Sequence, residues 1–210
     1  MSEPPPPDDS PAPLDPATFS PDPLVQFRRW FDAARDAGIR QPEAMALATA
    51  APDGRPSVRM VLLKGVDARG FRFFTHYDSR KGREIAANPR VALVLHWEPI
   101  GRQVRIEGEA AEVPAQESTE YFLTRPEGSR FAAAASPQSE PIPSRADLEA
   151  RVTRLRELHP HGQVPRPPRW GGYRVRPEAI EFWQQGRDRV HDRLRYERTG
   201  DDWTIVRLAP

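Results

Sequence analysis

The sequence predicts a mainly β fold with peripheral helices, an α+β barrel, and three observations carry that expectation. Five strand-like runs follow one another closely between Ala44 and Val113. Further strand-like runs return from Tyr173, and apart from one short stretch between strands helical periodicity falls outside these two sets. With 210 residues and no internal repeat, the chain is expected to fold around one core.

Each element has its own signal. Residues 1 to 23 contain nine prolines and few large apolar groups, a composition that cannot offset the entropy of ordering, so residues 1–22 are expected to form a flexible tail or lid and 23–210 a single domain. From Pro23, suited to a first helical turn, Leu24, Phe27, Phe31 and Ala34 recur at helical spacing until Gly38 stops the helix. Ala44–Ala50 and Ser57–Leu63 flank the turn residues Pro52-Asp53-Gly54-Arg55 and read as a hairpin. Phe71–His76, Arg90–Trp97 and Arg102–Val113 are three more strands, with a short helix over Ser79–Asn88 that must end before Pro89. Residues 114–135 and 144–158 are helical in pattern, and the proline-rich stretch between them is extended. Tyr173–Val175, Ala179–Gln184, Leu194–Arg198 and Trp203–Leu208 return to strand, the last two as a hairpin over residues 199–202.

Composition narrows function mainly by exclusion. A formal net charge of +1 gives no long-range field for nucleic acid or an anionic membrane, so anion binding has to come from local clusters. No run is long and apolar enough to span a bilayer. The absence of cysteine rules out disulfides, thiolate metal sites and cysteine nucleophiles, and with no secretory pattern at the start the cytoplasm is the expected compartment. Dinucleotide, P-loop, zincin and nucleophile-elbow motifs are missing. His159 and His161 lie among prolines without an obvious carboxylate partner and read as solvated loop residues rather than metal ligands.

Three clusters remain. Arg59 and Lys64 bracket Met60-Val61-Leu62-Leu63, while Arg80-Lys81 open the helix after Ser79, where free backbone N–H groups, a guanidinium fork and a compact ammonium suit a phosphate. Solvated charges at strand ends are the simpler account on pattern alone. Only two of the 31 basic residues are lysines, and both, Lys64 and Lys81, belong to this cluster. Tyr121 and Arg125 share a helical face with Ser129 just beyond, a set that suits an anion or ordinary packing equally. Phe182-Trp183-Gln184 is followed by Arg189-Val190-His191-Asp192-Arg193, where strand periodicity would aim Arg189, His191 and Arg193 the same way.

Taken with Phe74-Thr75, Asn88-Pro89-Arg90-Val91, Arg102-Gln103-Val104, Gln138-Ser139, Trp170-Gly171-Gly172-Tyr173-Arg174-Val175 and the closing Arg207-Leu208-Ala209-Pro210, these motifs resemble the pyridoxamine 5'-phosphate oxidase family from about Pro23 to Pro210. The resemblance implies an FMN-binding split β-barrel, a homodimer with a C-terminal dimerisation segment at about 170–210 and FMN at the subunit interface. It implies oxidation of pyridoxamine 5'-phosphate or pyridoxine 5'-phosphate to pyridoxal 5'-phosphate, with dioxygen as the final oxidant.

By the same resemblance Arg59, Arg80, Lys81 and Ser139 hold the FMN phosphate region, with Gln138 nearby. Phe74 and Thr75 join the cofactor set, and the Met60, Val61, Leu62, Leu63 and Lys64 backbone lines the ring. Gln103, Trp183 and Arg193 reach the flavin from the other subunit. Lys64, Tyr121, Arg125 and Ser129 take the substrate phosphate, and Arg189, Val190 and His191 flank the pyridine ring, with Arg189 and His191 as the catalytic pair. The chain departs from the family in its first 27 residues, which lack the arginine and tyrosine that often cover the substrate, and at Gln185 and Val190, where glycine and leucine are common.

Overall fold

Local chemistry sets most element boundaries. The structure is a computed structural model and describes residues 12–200 and 202–210. Helix α1 (Pro23–Asp36) starts where Asp22 accepts the Leu24 N–H, and it ends at Gly38, whose φ of +72° suits a residue without a Cβ. Strands β1 (Ala44–Ala50) and β2 (Pro56–Leu62) form the expected hairpin, turned by Gly54 at φ +82°. Short β3 (Gly65–Asp67) and β4 (Gly70–His76) form another, and helix α2 (Arg80–Ala87) begins at the buried Ser79 cap. Strands β5 (Arg90–Trp97) and β6 (Arg102–Glu112) lead to α3 (Ala115–Thr124), α4 (Glu127–Ala135) and α5 (Arg145–Leu158). Strands β7 (Trp170–Gln184), β8 (Asp192–Thr199) and β9 (Asp202–Arg207) close the chain.

The nine strands among the described residues form one antiparallel sheet, in which β2, β1, β5, β6, β7, β4 and β3 are successive neighbours. Strand β7 is where the barrel splits. One of its edges pairs with β6 along nearly its full length, while the other pairs with β4 through residues 170–175 and with β8 through 179–184. The change of partner coincides with a bulge, where Gly108 faces Pro177 and Glu107 faces Ala179, leaving Glu178 unpaired. Gly108 cannot be replaced cheaply here, because a Cβ would lie 2.1 Å from the Arg176 carbonyl oxygen.

One core fills the barrel under α1, with Phe27, Phe71, Trp97, Phe182 and Tyr196 fully buried. A smaller cluster of Phe122, Phe131, Val164 and Trp170 fastens α3 and α4 to the start of β7. No helix among the described residues is long and apolar enough to cross a membrane.

Several expectations change. The strand expected at Tyr173–Val175 and that at Ala179–Gln184 are one strand of 15 residues, because the bulge absorbs Pro177. The helical stretch 114–135 is two helices, broken at Arg125-Pro126. The expected flexible tail falls partly on residues 1–11, outside the described residues, but its remainder packs down. Leu14 and Phe19 join the core, and Phe19 lies edge-on to Phe182 and Trp30 at 5.6 and 6.2 Å. The Leu14 N–H donates to Asp192, Gln184 donates to the Ala12 carbonyl and Tyr196 donates to that of Ser20. Two well-placed apolar side chains on proline-stiffened backbone, which loses little entropy on ordering, outweigh the polar average. Phe19→Ala is therefore expected to lower stability by about 3 kcal/mol in urea unfolding; a mobile tail would give no change.

Candidate active site

A cavity of about 790 Å³ opens between β2, β4, α2, α3 and α4. Its lining joins the first two sequence clusters. Arg59, Met60, Val61, Leu62 and Lys64 come from β2 and its exit, Phe74 and Thr75 from β4, Lys81 from α2, and Gln138 from the loop after α4. Tyr121, Arg125 and Ser129 face them from α3, its end and α4.

At one end the Lys81 ammonium is buried without a carboxylate of its own. It donates to Thr75 Oγ1 at 3.1 Å, Ser79 Oγ at 3.2 Å and Gln138 Oε1 at 2.8 Å. Burial, with Arg59 adding to it, depresses its pKa to about 8. At the other end Phe74 and Tyr121 stack at 3.9 Å, and Trp170 lies nearly parallel to Tyr121 at 6.3 Å. The Arg125 guanidinium sits 4.9 Å over the Trp170 ring, and its buried Nη1 has no hydrogen-bond partner. A buried donor left unpaired costs stability, so this arrangement fits an anion that arrives from outside. His76 lines the same space; burial, then Lys81 and Arg125, hold its imidazole below the ordinary value.

The Leu63 side chain is 6% exposed and packs in the core, so any contact it makes with the ring is through its backbone, as expected for this segment. Arg80 and Ser139 lie off the cavity wall. Arg80 pairs with Glu84 at 2.9 Å, and Ser139 takes a φ of +74° beside Gln138.

Gln103, Trp183 and Arg193 gather elsewhere, directly opposite one another across β6, β7 and β8. Arg193 is gripped by the buried Glu181 at 2.9 and 3.1 Å. Beside them the expected alternation of Arg189, His191 and Arg193 fails. Residues Arg187–Arg189 form a short 3-10 turn with Asp188 and Arg189 at positive φ, and the strand begins only at Asp192. That turn still presents His191 to Trp183, with ring centroids 4.8 Å apart, while Arg189 and Val190 sit in the turn itself and Val190 is exposed. His191 Nδ1 accepts the Gly186 N–H at 3.2 Å, so in the neutral ring Nε2 carries the proton.

Sequence reasoning missed Glu84, His76 and the stacking role of Trp170. Glu84 and His76 lie inside or beside recognised motifs, but nothing in their spacing separates them from solvated helix and strand-end residues.

A split barrel with a cavity that holds two separate cationic groups and an aromatic wall suits phosphorylated, ring-bearing ligands. Residues 31–159 match the family model described as pyridoxamine 5'-phosphate oxidase, and residues 170–210 match the one described as the pyridoxine 5'-phosphate oxidase C-terminal dimerisation region. The chain is 58% identical over 190 residues to a pyridoxine/pyridoxamine 5'-phosphate oxidase of Rubrobacter xylanophilus, covering 90% of this chain and 88% of that one. It is 56% identical over 192 residues to the same-named protein of Salinibacter ruber, at 90% and 89% coverage. Among solved structures, PhzG of Burkholderia lata, in complex with tetrahydrophenazine-1-carboxylic acid, superposes with a TM-score of 0.89 at 38% identity, covering 94% of this chain and 98% of that one. An FMN-binding protein of Nostoc punctiforme shares the fold, with a TM-score of 0.72 at 16% identity over 91% of this chain and all of that one. The chain belongs to the pyridoxamine 5'-phosphate oxidase family and is an oxidoreductase with the family's dimerisation region.

The His191 turn depends on Gly186, whose Cβ would lie 1.8 Å from the Val190 carbonyl oxygen. Gly186→Ala is expected to displace His191 and lower kcat/KM for oxidation about a hundredfold, with the melting temperature little changed. Unaltered steady-state kinetics would show that the turn's shape is immaterial.

Proposed function

We propose that this protein oxidises pyridoxamine 5'-phosphate and pyridoxine 5'-phosphate to pyridoxal 5'-phosphate with FMN as cofactor, a step of vitamin B6 metabolism in the cytoplasm. The observation that carries the reading is one cavity with two cations that lack acidic partners among the described residues, the buried Lys81 at one end and the half-buried Arg125 with its orphaned, buried Nη1 at the other. Two ligands that each carry a phosphate would match it. When bound, FMN would supply the hydride acceptor at N5 and pass its electrons to dioxygen, giving hydrogen peroxide.

The chain's own residues would then do the following. Arg59, Arg80, Lys81, Gln138 and Ser139 would hold the cofactor phosphate, with Thr75 fixing Gln138 and Lys81 in register. Lys64, Tyr121, Arg125 and Ser129 would hold the substrate phosphate, with the Phe74 to Trp170 stack fixing the orientation of Tyr121 and the plane of Arg125. Held at its phosphate, the substrate would present C4' to the flavin at near-attack distance, and this orientation supplies much of the rate. With Nδ1 engaged by the Gly186 N–H, His191 would meet the substrate through Nε2, and Arg189 beside it would add positive charge. The imine formed from the amine substrate would hydrolyse with water to the aldehyde and ammonia.

Strand geometry argues for a shared site. Trp170 and Trp183 stand at opposite ends of β7, about 40 Å apart at ordinary strand rise. The group around Gln103, Trp183, His191 and Arg193 therefore cannot reach the ring held in its own chain's cavity, and the partner subunit would bring it there. Val58, Met60 and Leu62 support this, forming an apolar stripe 69%, 64% and 36% exposed on β2 beside the cavity.

The direct test supplies either phosphate ester with FMN in air and follows pyridoxal 5'-phosphate, peroxide and, from the amine, ammonia. Bound flavin without product would leave a binding module. Arg125→Met is expected to raise KM tenfold to a hundredfold, with kcat much less affected and no loss in oxidation of unphosphorylated pyridoxine; equal losses on both would remove Arg125 from the phosphate site.

Lys81 makes cofactor affinity depend on pH. A phosphate beside it raises its pKa above the free value of about 8, so binding takes up a proton at higher pH. FMN affinity is thus full well below pH 8, near pH 7, and declines as pH rises through about 8. A dissociation constant flat from pH 7 to 9.5 would contradict this.

A further inference from the structure

Glu84 stands behind the cofactor-phosphate cluster, on α2 against β1 and β2, and is 7% exposed. Its Oε2 accepts from Thr49 and Ser57, each at 2.5 Å, and from Arg59 Nη2 at 3.2 Å. Its Oε1 accepts from Arg80 Nε at 2.9 Å. Arg59 also donates to the hydroxyls of Thr49 and Ser57 and to the Leu47 carbonyl. The protons run one way, from guanidinium to hydroxyls to carboxylate. Burial pushes the Glu84 carboxyl up, but the bonds from Ser57, Thr49, Arg80 and Arg59 outweigh it and bring its pKa down to about 2.

Two consequences follow for an incoming phosphate. A guanidinium has five N–H donors, and the four bonds that Arg59 makes leave only its Nε–H free, whereas Arg80 keeps both Nη groups. Arg80 is thus the fork and Arg59 the fixed charge behind it. The three cations Arg59, Arg80 and Lys81, set against one carboxylate, leave an excess of two positive charges, the complement of a phosphate monoester dianion.

We propose that Glu84 is a positioning residue for the flavin phosphate, locking Arg59 and Arg80 in place before the phosphate arrives. The proposal rests on the FMN reading above. Pre-organisation of this kind lowers the entropy lost when two long side chains must be ordered on binding.

The test is binding, not turnover. Dissociation constants of FMN and of riboflavin, which has the same ring and no phosphate, are measured by flavin fluorescence on the apo-protein of wild type, Glu84→Ala and Glu84→Gln. Glu84→Ala is expected to weaken FMN roughly tenfold to a hundredfold and riboflavin by less than about twofold, with Glu84→Gln, which keeps one acceptor oxygen, in between. Should Glu84→Ala fail to fold, the same split between FMN and riboflavin is read from Glu84→Gln. Equal losses for the two ligands would reduce Glu84 to a general structural role, and unchanged FMN affinity would remove it from the site; either overturns the proposal. A wild type that binds FMN no better than riboflavin would instead overturn the FMN reading itself.

Discussion

The architecture depends on one constraint: β7 must serve two partner strands along one edge. Its first residues complete the barrel with β4 and its last ones carry β8, which in turn pairs with β9, and the bulge at Glu178, next to the Gly108–Pro177 pair, lets one strand turn from one task to the other. Without a residue as small as glycine at 108 the backbones could not approach there. The strand also distributes the chemistry. Trp170 at its start backs Arg125 and the aromatic wall, whereas Trp183 at its end sits between Gln103 and Arg193. A single strand thereby holds these two groups far apart within one chain, and the match to the dimerisation region begins at that same strand, which is why the proposed reading has the partner subunit bring the second group to the cavity.

Electrostatics inside the cavity follow from what was left out of it. Near the protein surface arginines are paired freely, as in the Asp67, Glu117, Arg69, Arg72 and Arg174 network. Among the described residues no acid lines the cavity, and Glu84 stands behind the cations rather than among them. The buried Lys81 and the half-buried Arg125 carry a cost of desolvation without a counter-ion among the described residues, a cost that the phosphates of the proposed ligands would offset.

Much of the fold was legible because its signals are local. Helix α1, the first hairpin and the break before Pro89 follow from spacing, turn residues and proline sterics. Errors arose where tertiary context outweighed local pattern. Pro177 reads as the end of a strand unless the bulge beside Gly108 is known, and β3 is too short to show a period. The prolines around Leu14 and Phe19 suggest disorder until the groove that takes those two side chains is built. At the site, residue identities were available only through the resemblance to a family, since composition and spacing fit solvated strand ends as well. The alternation expected from Arg189 to Arg193 failed because two consecutive residues at positive φ cannot belong to a strand. Glu84 and His76 were invisible because their roles exist only once β1, β2, β4 and α2 are side by side.

The central claim is that a phosphorylated B6 vitamer and a flavin meet in this cavity and exchange a hydride. Its most direct test is the visible spectrum of the purified protein loaded with FMN, recorded under anaerobic conditions before and after addition of pyridoxine 5'-phosphate, then again in air. The account predicts that the flavin band bleaches, that it returns with oxygen and that pyridoxal 5'-phosphate accumulates in step. A bound flavin whose band persists through saturating substrate would contradict it.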